Sequence, residues 1–244
     1  MRLRIPALIL AATLAACGKV DTVAPVSASA RLKFVQLLRG PTTVDFAVGD
    51  QRIFPGLAYR VVAPALSGSY TALAAETPLR LRVYDGAAAV IDTTTKLVTD
   101  ASYTVVATGV STGTGVATPK FVVLTDNVTP PKADSIRLRV MQASSGAGPI
   151  DVHAVLVGTP FSATTRIFAN LSFRSAGTAD LPAGSYQFCV IGAGGTPNAS
   201  GSNCSIFLAT GSLPAGTVAT AFAREPNTPT ETLPQLQLIR DRTP

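Results

Sequence analysis

Arg31-Leu32-Lys33-Phe34-Val35-Gln36 returns 106 residues later as Arg137-Leu138-Arg139-Val140-Met141-Gln142. The same offset pairs Val44-Asp45 with Ile150-Asp151, and Leu81-Arg82-Val83 with Gln187-Phe188-Cys189. Nearer the C-terminus the offset grows to 115, matching Pro119-Lys120-Phe121-Val122-Val123-Leu124-Thr125-Asp126 to Pro234-Gln235-Leu236-Gln237-Leu238-Ile239-Arg240-Asp241. The extra residues fall in a Gly-rich stretch of the second copy, as expected when duplicated domains diverge through a surface loop. Two copies of about 100 residues are each long enough to bury a core.

Both copies carry strand signals. Leu79-Arg80-Leu81-Arg82-Val83 and Ile136-Arg137-Leu138-Arg139-Val140 alternate apolar with charged residues, the period of a half-buried strand. Ala101-Ser102-Tyr103-Thr104-Val105-Val106-Ala107-Thr108 is rich in β-branched and aromatic residues and stops at Gly109. Leu181-Pro182-Ala183-Gly184 sets a turn directly before Ser185-Tyr186-Gln187-Phe188-Cys189-Val190. Turns recurring every eight to twelve residues or so favour antiparallel sandwiches over alternating β and α. The expected fold is all-β: two tandem antiparallel β-sandwiches, spanning 31–127 and 136–244, joined by a stiff linker at 128–135.

The N-terminus reads differently. Arg2 and Arg4 precede an uncharged run from Ile5 to Ala16, which has the layout of a secretory signal. A membrane-spanning helix needs roughly 20 apolar residues, so this run is too short to span. Its end, Leu14-Ala15-Ala16-Cys17, resembles the bacterial lipobox, which implies cleavage after residue 16 and acylation of Cys17. Gly18 stands where an aspartate would favour inner-membrane retention, so the resemblance implies sorting to the outer membrane, on its periplasmic or surface face. Residues 17–30 are small, polar and aperiodic, and read as a lipidated N-terminus followed by a tether.

Removing Arg2 and Arg4 lowers the formal charge from +6 to +4. The chain has no tryptophan and no runs of Lys or Arg, so the stacking-plus-phosphate pattern of nucleic-acid binders is missing. Its charges read as scattered, solvated residues on strand faces.

With Cys17 assigned to lipid, Cys189 and Cys204 remain as an even pair in an oxidising compartment. They are most simply a disulfide. A metal site is the alternative, but neither cysteine has a histidine or another cysteine at ligand spacing. No cofactor or metal is expected.

The Arg-Leu-Lys-Phe-Val-Gln start, Val44-Asp45 and Ser102-Tyr103-Thr104-Val105-Val106-Ala107-Thr108-Gly109 resemble the bacterial family called domain of unknown function 4397. Ile150-Asp151 and Leu181-Pro182-Ala183-Gly184-Ser185-Tyr186 are similar to the same pattern, so the resemblance covers most of 31–240 in two copies. Where that family commonly carries His-Ala-Ser-Pro, this chain has Gln36-Leu37-Leu38-Arg39 and Gln142-Ala143-Ser144-Ser145. The resemblance implies extracytoplasmic, immunoglobulin-like or transthyretin-like sandwiches, and no reaction.

Candidate chemistry is sparse. His153, the only histidine, follows Asp151 by two and would share its strand face. Ala47 stands at its position in the first copy, which favours a solvent-facing strand residue. Asp45 and Asp151 read as acceptors for turn or strand-end amides, and Tyr103 as part of the strand motif. Gly109-Val110-Ser111-Thr112-Gly113 fits the nucleophile-elbow pattern, with Asp126 and His153 following in triad order, but no helix pattern follows Ser111. The expected role is therefore a non-catalytic, lipid-anchored envelope protein, touching a membrane through Cys17 and binding a protein or glycan. A serine hydrolase using Ser111, or a carrier of small ligands, are the alternatives.

Overall fold

The computed structural model describes residues 28–226 and 234–244. The signal segment and Cys17 lie outside the described residues. Among those described there are seventeen strands, no α-helix, and two single turns of 3-10 helix at Gly115–Ala117 and Ala163–Thr165.

Eight residues of linker, 127–134, divide the chain into halves of matching strand order. The first half contributes β1 (Ser29–Arg39), β2 (Thr43–Val48), β3 (Gln51–Ala58), β4 (Val62–Ala63), β5 (Thr71–Ala74), β6 (Pro78–Asp85), β7 (Ala88–Lys96), β8 (Ser102–Val110) and β9 (Lys120–Asp126). The second contributes β10 (Ser135–Gln142), β11 (Ile150–Leu156), β12 (Arg166–Leu171), β13 (Ala176–Pro182), β14 (Gly184–Gly192), β15 (Ile206–Leu213), β16 (Val218–Arg224) and β17 (Gln235–Arg242). In the first half an inner sheet runs β4-β1-β8-β9, with β5 also on β1, and an outer sheet runs β3-β2-β6-β7. The second half repeats this as β13-β10-β16-β17 and β12-β11-β14-β15. The duplication visible in sequence is thus a duplication of topology.

Each half has its own core between its two sheets. In the first, Phe34 stacks on Phe46 with ring centroids 4.3 Å apart, and Phe121 meets both edge-on. In the second, Tyr186 and Phe188 stack at 5.8 Å over Val140, Val152 and Ile206. Each fully buried apolar side chain of this size contributes about 1.5–3 kcal/mol.

The structure departs from the sequence expectation in three places. The sheets are not wholly antiparallel: β1 pairs with β8, and β10 with β16, in parallel. Each such pair is separated in sequence by a whole outer sheet, so the second strand re-enters from the same end as the first. The first sandwich also begins earlier than residue 31. Ser29 and Ala30 already belong to β1, opposite Ala74 and Leu73 of β5, and Ala30 is fully buried. Finally, Val83 corresponds to Val190 rather than Cys189. Phe46 faces Val83 and Val152 faces Val190, an offset of 107. A slip of one residue moves a side chain to the opposite face of a sheet, which is why Val83 lies in the core and Cys189 does not.

The inner sheets pack against each other, giving four layers. All of β8 except Val110 is buried, and so is every residue of β16. Both faces of these strands are covered, as in strands that read as continuous rather than alternating apolar runs. One face of β8 (Tyr103, Val105, Ala107) fills its own core, and Val106 on the other meets the second half.

Candidate functional site

The face between the halves is built from equivalent positions. Val35 and Met141 are 106 apart, as are Leu37 and Ala143; Val106 and Phe222 hold matching places on β8 and β16. Together they form one apolar cluster, flanked by Leu124 of β9 and Ile239 of β17. An interface in which each residue meets its counterpart's surroundings has the logic of an isologous dimer contact.

Its charges are reciprocal too. Lys33 Nζ lies 2.6 Å from Asp241 Oδ1, and Arg139 Nη2 lies 2.7 Å from Asp126 Oδ1. Lys33 sits opposite Thr104 on β8, and Arg139 opposite Thr220 on β16. Those threonines orient the acids: Thr104 Oγ1 donates to Asp126 Oδ2 at 2.7 Å, and Thr220 Oγ1 to Asp241 Oδ2 at 2.5 Å. Tyr70 adds a third donor to Asp126 at 2.9 Å, and Lys33 lies 4.4 Å above its ring. Burial, reinforced by the neighbouring Asp126 and Asp241, pushes the Tyr70 phenol well above its usual range. Lys33 and Asp241 have side chains only 2% exposed, so the expectation of solvated strand charges fails here. Burying ions is tolerable because each carboxylate has a cation and a hydroxyl to replace its water.

The opposite end of the interface is set by the strand ends. Arg39, closing β1, pairs with Glu225, which follows β16. Glu225 Oε1 also accepts from Ser145 Oγ at 2.6 Å and from the Gly146 N–H at 2.8 Å. Burial raises the Glu225 pKa, but these donors and Arg39 outweigh it, and the carboxyl is held below its usual range. Tyr59 donates to the Glu225 carbonyl at 3.0 Å, and burial drives its phenol up to about 12. Arg174 reaches from the second half to Thr108 Oγ1 at 3.0 Å and to the Thr118 carbonyl. Beside it Val116 of the first half faces Ser145, Pro149 and Phe173 across a cleft of about 400 Å³. Val116 is 72% exposed, and Arg174 stacks 4.4 Å from the Phe173 ring.

Of the residues singled out by sequence, Asp126 lies in this interface and the others are distributed elsewhere. Cys189 and Cys204 are joined in a disulfide, with Cα atoms 5.4 Å apart. Cys189 is fully buried and packs with Val155 and Phe161 on the outer face of the second sandwich. His153 is also on that face, opposite Cys189 in the β11–β14 register. The expectation of a solvent-facing histidine is wrong, since His153 is 1% exposed. The turn at Ala163–Thr165 approaches it, and Thr165 Oγ1 lies 3.2 Å from Nδ1. Burial depresses its pKa, partly opposed by Asp151.

Asp45 and Asp151 do accept backbone amides. The Gly56 N–H donates to Asp45 at 2.7 Å, and the Asn170 and Gly194 N–H groups to Asp151 at 2.7 and 3.0 Å. Each also has an arginine, Arg52 and Arg166 respectively. The Tyr103 hydroxyl accepts the Val98 N–H at 3.1 Å. Ser111, Asp126 and His153 are not brought together. Ser111 follows the end of β8, whereas Asp126 pairs with Ser102 at its start, roughly 30 Å away at ~3.3 Å per residue. His153 lies in the other half, on an outer sheet. The glycines of that motif have packing roles: a Cβ on Gly109 or Gly113 would meet the Ala117 carbonyl oxygen at 2.6 or 2.5 Å.

Sequence reasoning missed Lys33, Arg139, Asp126 and Asp241 as a set. The signal was there, because the repeat aligns Lys33 with Arg139 and Asp126 with Asp241, though it does not say that the pairs cross. Among the described residues no group of three or more His, Cys, Asp or Glu side chains is placed to hold a metal ion.

No curated protein matches the chain. A leucine-rich repeat protein of known structure from Bacteroides thetaiotaomicron aligns with 82% of this chain and 27% of its own, at 9% identity. Its TM-score of 0.20 does not relate the two folds. One family, described as domain of unknown function (DUF4397), matches residues 30–153, which hold the first sandwich from Ala30 onward, with β10 and the start of β11. That match takes in just over half of the chain, with the start of each repeat inside it; the chain belongs to the DUF4397 family.

Proposed function

We propose that this protein is a non-catalytic, lipid-anchored component of the bacterial cell envelope that presents a rigid pair of sandwiches to a protein or glycan partner. The observation that carries the reading is the polarity of the packed pair. Lys33 near the start of β1 meets the end of β17, and Arg39 at the end of β1 meets the end of β16. Both halves therefore point the same way. Ser29, where the tether from Cys17 enters, lies at one end of the tandem. The loops around Gly40, Val116, Ser145 and Phe173 lie at the other, about 33 Å away along β1 at ~3.3 Å per residue. A chain held by lipid on Cys17 would direct those loops and the cleft between them away from the membrane. Loops on a rigid scaffold are where recognition residues concentrate.

Two measurements test this. Labelled palmitate should enter the wild-type chain and be lost in Cys17→Ser. Envelope extract passed over the wild-type protein should leave a specific glycan or protein bound, and Val116→Asp with Phe173→Asp should release it. If the double variant retains the same partner, the loop end is not the binding surface. An unlabelled wild-type chain ends the anchoring part of the reading.

A further inference from the structure

We propose that the cleft beside Arg174 binds an extended peptide segment, taking an acidic side chain on the guanidinium and an apolar neighbour between Val116 and Phe173. The proposal rests on the loop-end reading above and names the partner's chemistry. It starts from a difference between the two repeats. Arg60 and Arg174 are equivalent: both have left-handed backbone, with φ of 76° and 70°. Each donates its N–H at 2.7 Å to the carbonyl of the repeated glutamine, Gln36 or Gln142. Tyr59 and Phe173, the residues before them, are therefore equivalent as well. What meets them from the opposite half differs. Gln36 pairs with Ala107 and Gln142 with Ala223, so Arg224-Glu225 in one half corresponds to Thr108-Gly109 in the other. Arg224 lies 5.8 Å from the Tyr59 ring and the Glu225 carbonyl accepts the Tyr59 hydroxyl, which leaves Tyr59 buried. Thr108 and Gly109 are smaller, and Phe173 and Arg174 border an open cleft of about 400 Å³, within the size range of ligand sites.

The charge in the open cleft is unmatched. Among the described residues Arg174 has no carboxylate partner: Nε donates to Thr108 Oγ1 and Nη2 to the Thr118 carbonyl. That uses two of the five donors of a guanidinium, and burial alone holds its pKa below the usual range. Glu225, behind Ser145, is already held by Arg39, Ser145 and Gly146. A guanidinium fixed by two bonds, with donors to spare, is set to pair with a carboxylate from outside. The walls favour a peptide over a sugar. Val116, Pro149 and Phe173 line the cleft, and the Ser145 hydroxyl already donates to Glu225. Sugar hydroxyls would be buried there without partners, whereas an aliphatic side chain has no hydrogen bonds to lose.

A random heptapeptide library displayed on phage tests this, selected against the immobilised full chain and separately against Arg174→Gln. The wild type should enrich sequences with Asp or Glu beside Leu, Ile, Val or Phe, and Arg174→Gln should not. The leading peptide and its acid-to-amide counterpart are then compared by fluorescence anisotropy. Removing the peptide's acid should weaken binding to the wild type by about tenfold or more, and should leave binding to Arg174→Gln nearly unchanged. Equal weakening on both proteins overturns the assignment. Should Arg174→Gln fail to fold, Val116→Asp replaces it, since Val116 is 72% exposed. That aspartate should weaken the acidic peptide more than its amide counterpart, and equal weakening again overturns the assignment. A selection that yields no acidic peptides overturns it too, and a glycan array bound through Arg174 would then give the cleft to an acidic sugar. The loop-end reading outlives either failure if Val116→Asp with Phe173→Asp still releases the envelope partner, which separates the two.

Discussion

Lys33 and Asp241, 208 residues apart, form an almost fully buried ion pair with Nζ and Oδ1 separated by 2.6 Å. It joins the first strand of the tandem to the last. The energetic consequence is asymmetric. Asp241→Ala leaves Lys33 charged in a dry interface and is expected to lower unfolding stability by about 3–5 kcal/mol. Lys33→Met combined with Asp241→Leu removes both charges and should cost much less than either single change. Urea denaturation of the three variants checks this; equal losses for single and double changes would mean the pair is solvated.

The lone histidine gives a pH test with one assignable group. Burial lowers the His153 pKa in the fold, so the unfolded chain binds a proton more readily. Its contribution is therefore complete above the unfolded value of about 6.5 and declines as pH falls from there towards the depressed folded value. Stability should rise between pH 5 and 7 in the wild type, and His153→Gln should flatten that slope. A slope that survives the substitution assigns the effect elsewhere.

Glu225 acts in a lower window. Its folded pKa is depressed, so its contribution is present above about pH 4.3 and lost as pH falls through the folded value. Glu225→Gln should weaken the fold at neutral pH and reduce the loss seen on acidification below pH 4.5. Parallel denaturation curves at pH 7 and pH 3.5 read both effects.

The disulfide closes a separation of 15 residues, for which the chain-entropy treatment gives about 3 kcal/mol. Cys189→Ala with Cys204→Ala should cost that amount. Hydrogen exchange should quicken at β14, β15 and the loop between them, with β1 to β9 unaffected. Uniform loss of protection across both halves would show that the bond supports the tandem as a whole.

The glycines flanking Ser111 should matter more than the serine. Gly109 has φ of +101° and, like Gly113, no room for a Cβ beside the Ala117 carbonyl. Alanine at either is expected to cost more than about 1 kcal/mol, whereas Ser111→Ala should stay within about 0.5 kcal/mol. Thermal unfolding of the three variants distinguishes a packed turn from a nucleophile's frame.

The repeat and its period of two were enough to establish an all-β duplication, because alternation and turn residues are local properties. They also located Asp45 and Asp151, whose amide partners come from a neighbouring strand or its turns. What lay on the far side of each inner sheet was not local. Arg137-Leu138-Arg139 reads as a strand with one face in water, yet that face of Arg139 meets Asp126 of the other half. Likewise His153 has the spacing of an exposed residue until Thr165 and Phe161 close over its face. A sequence shows which side chains share a face, since that follows from backbone geometry. Only the tertiary structure decides what covers the face, since that depends on how two separately folded sheets meet.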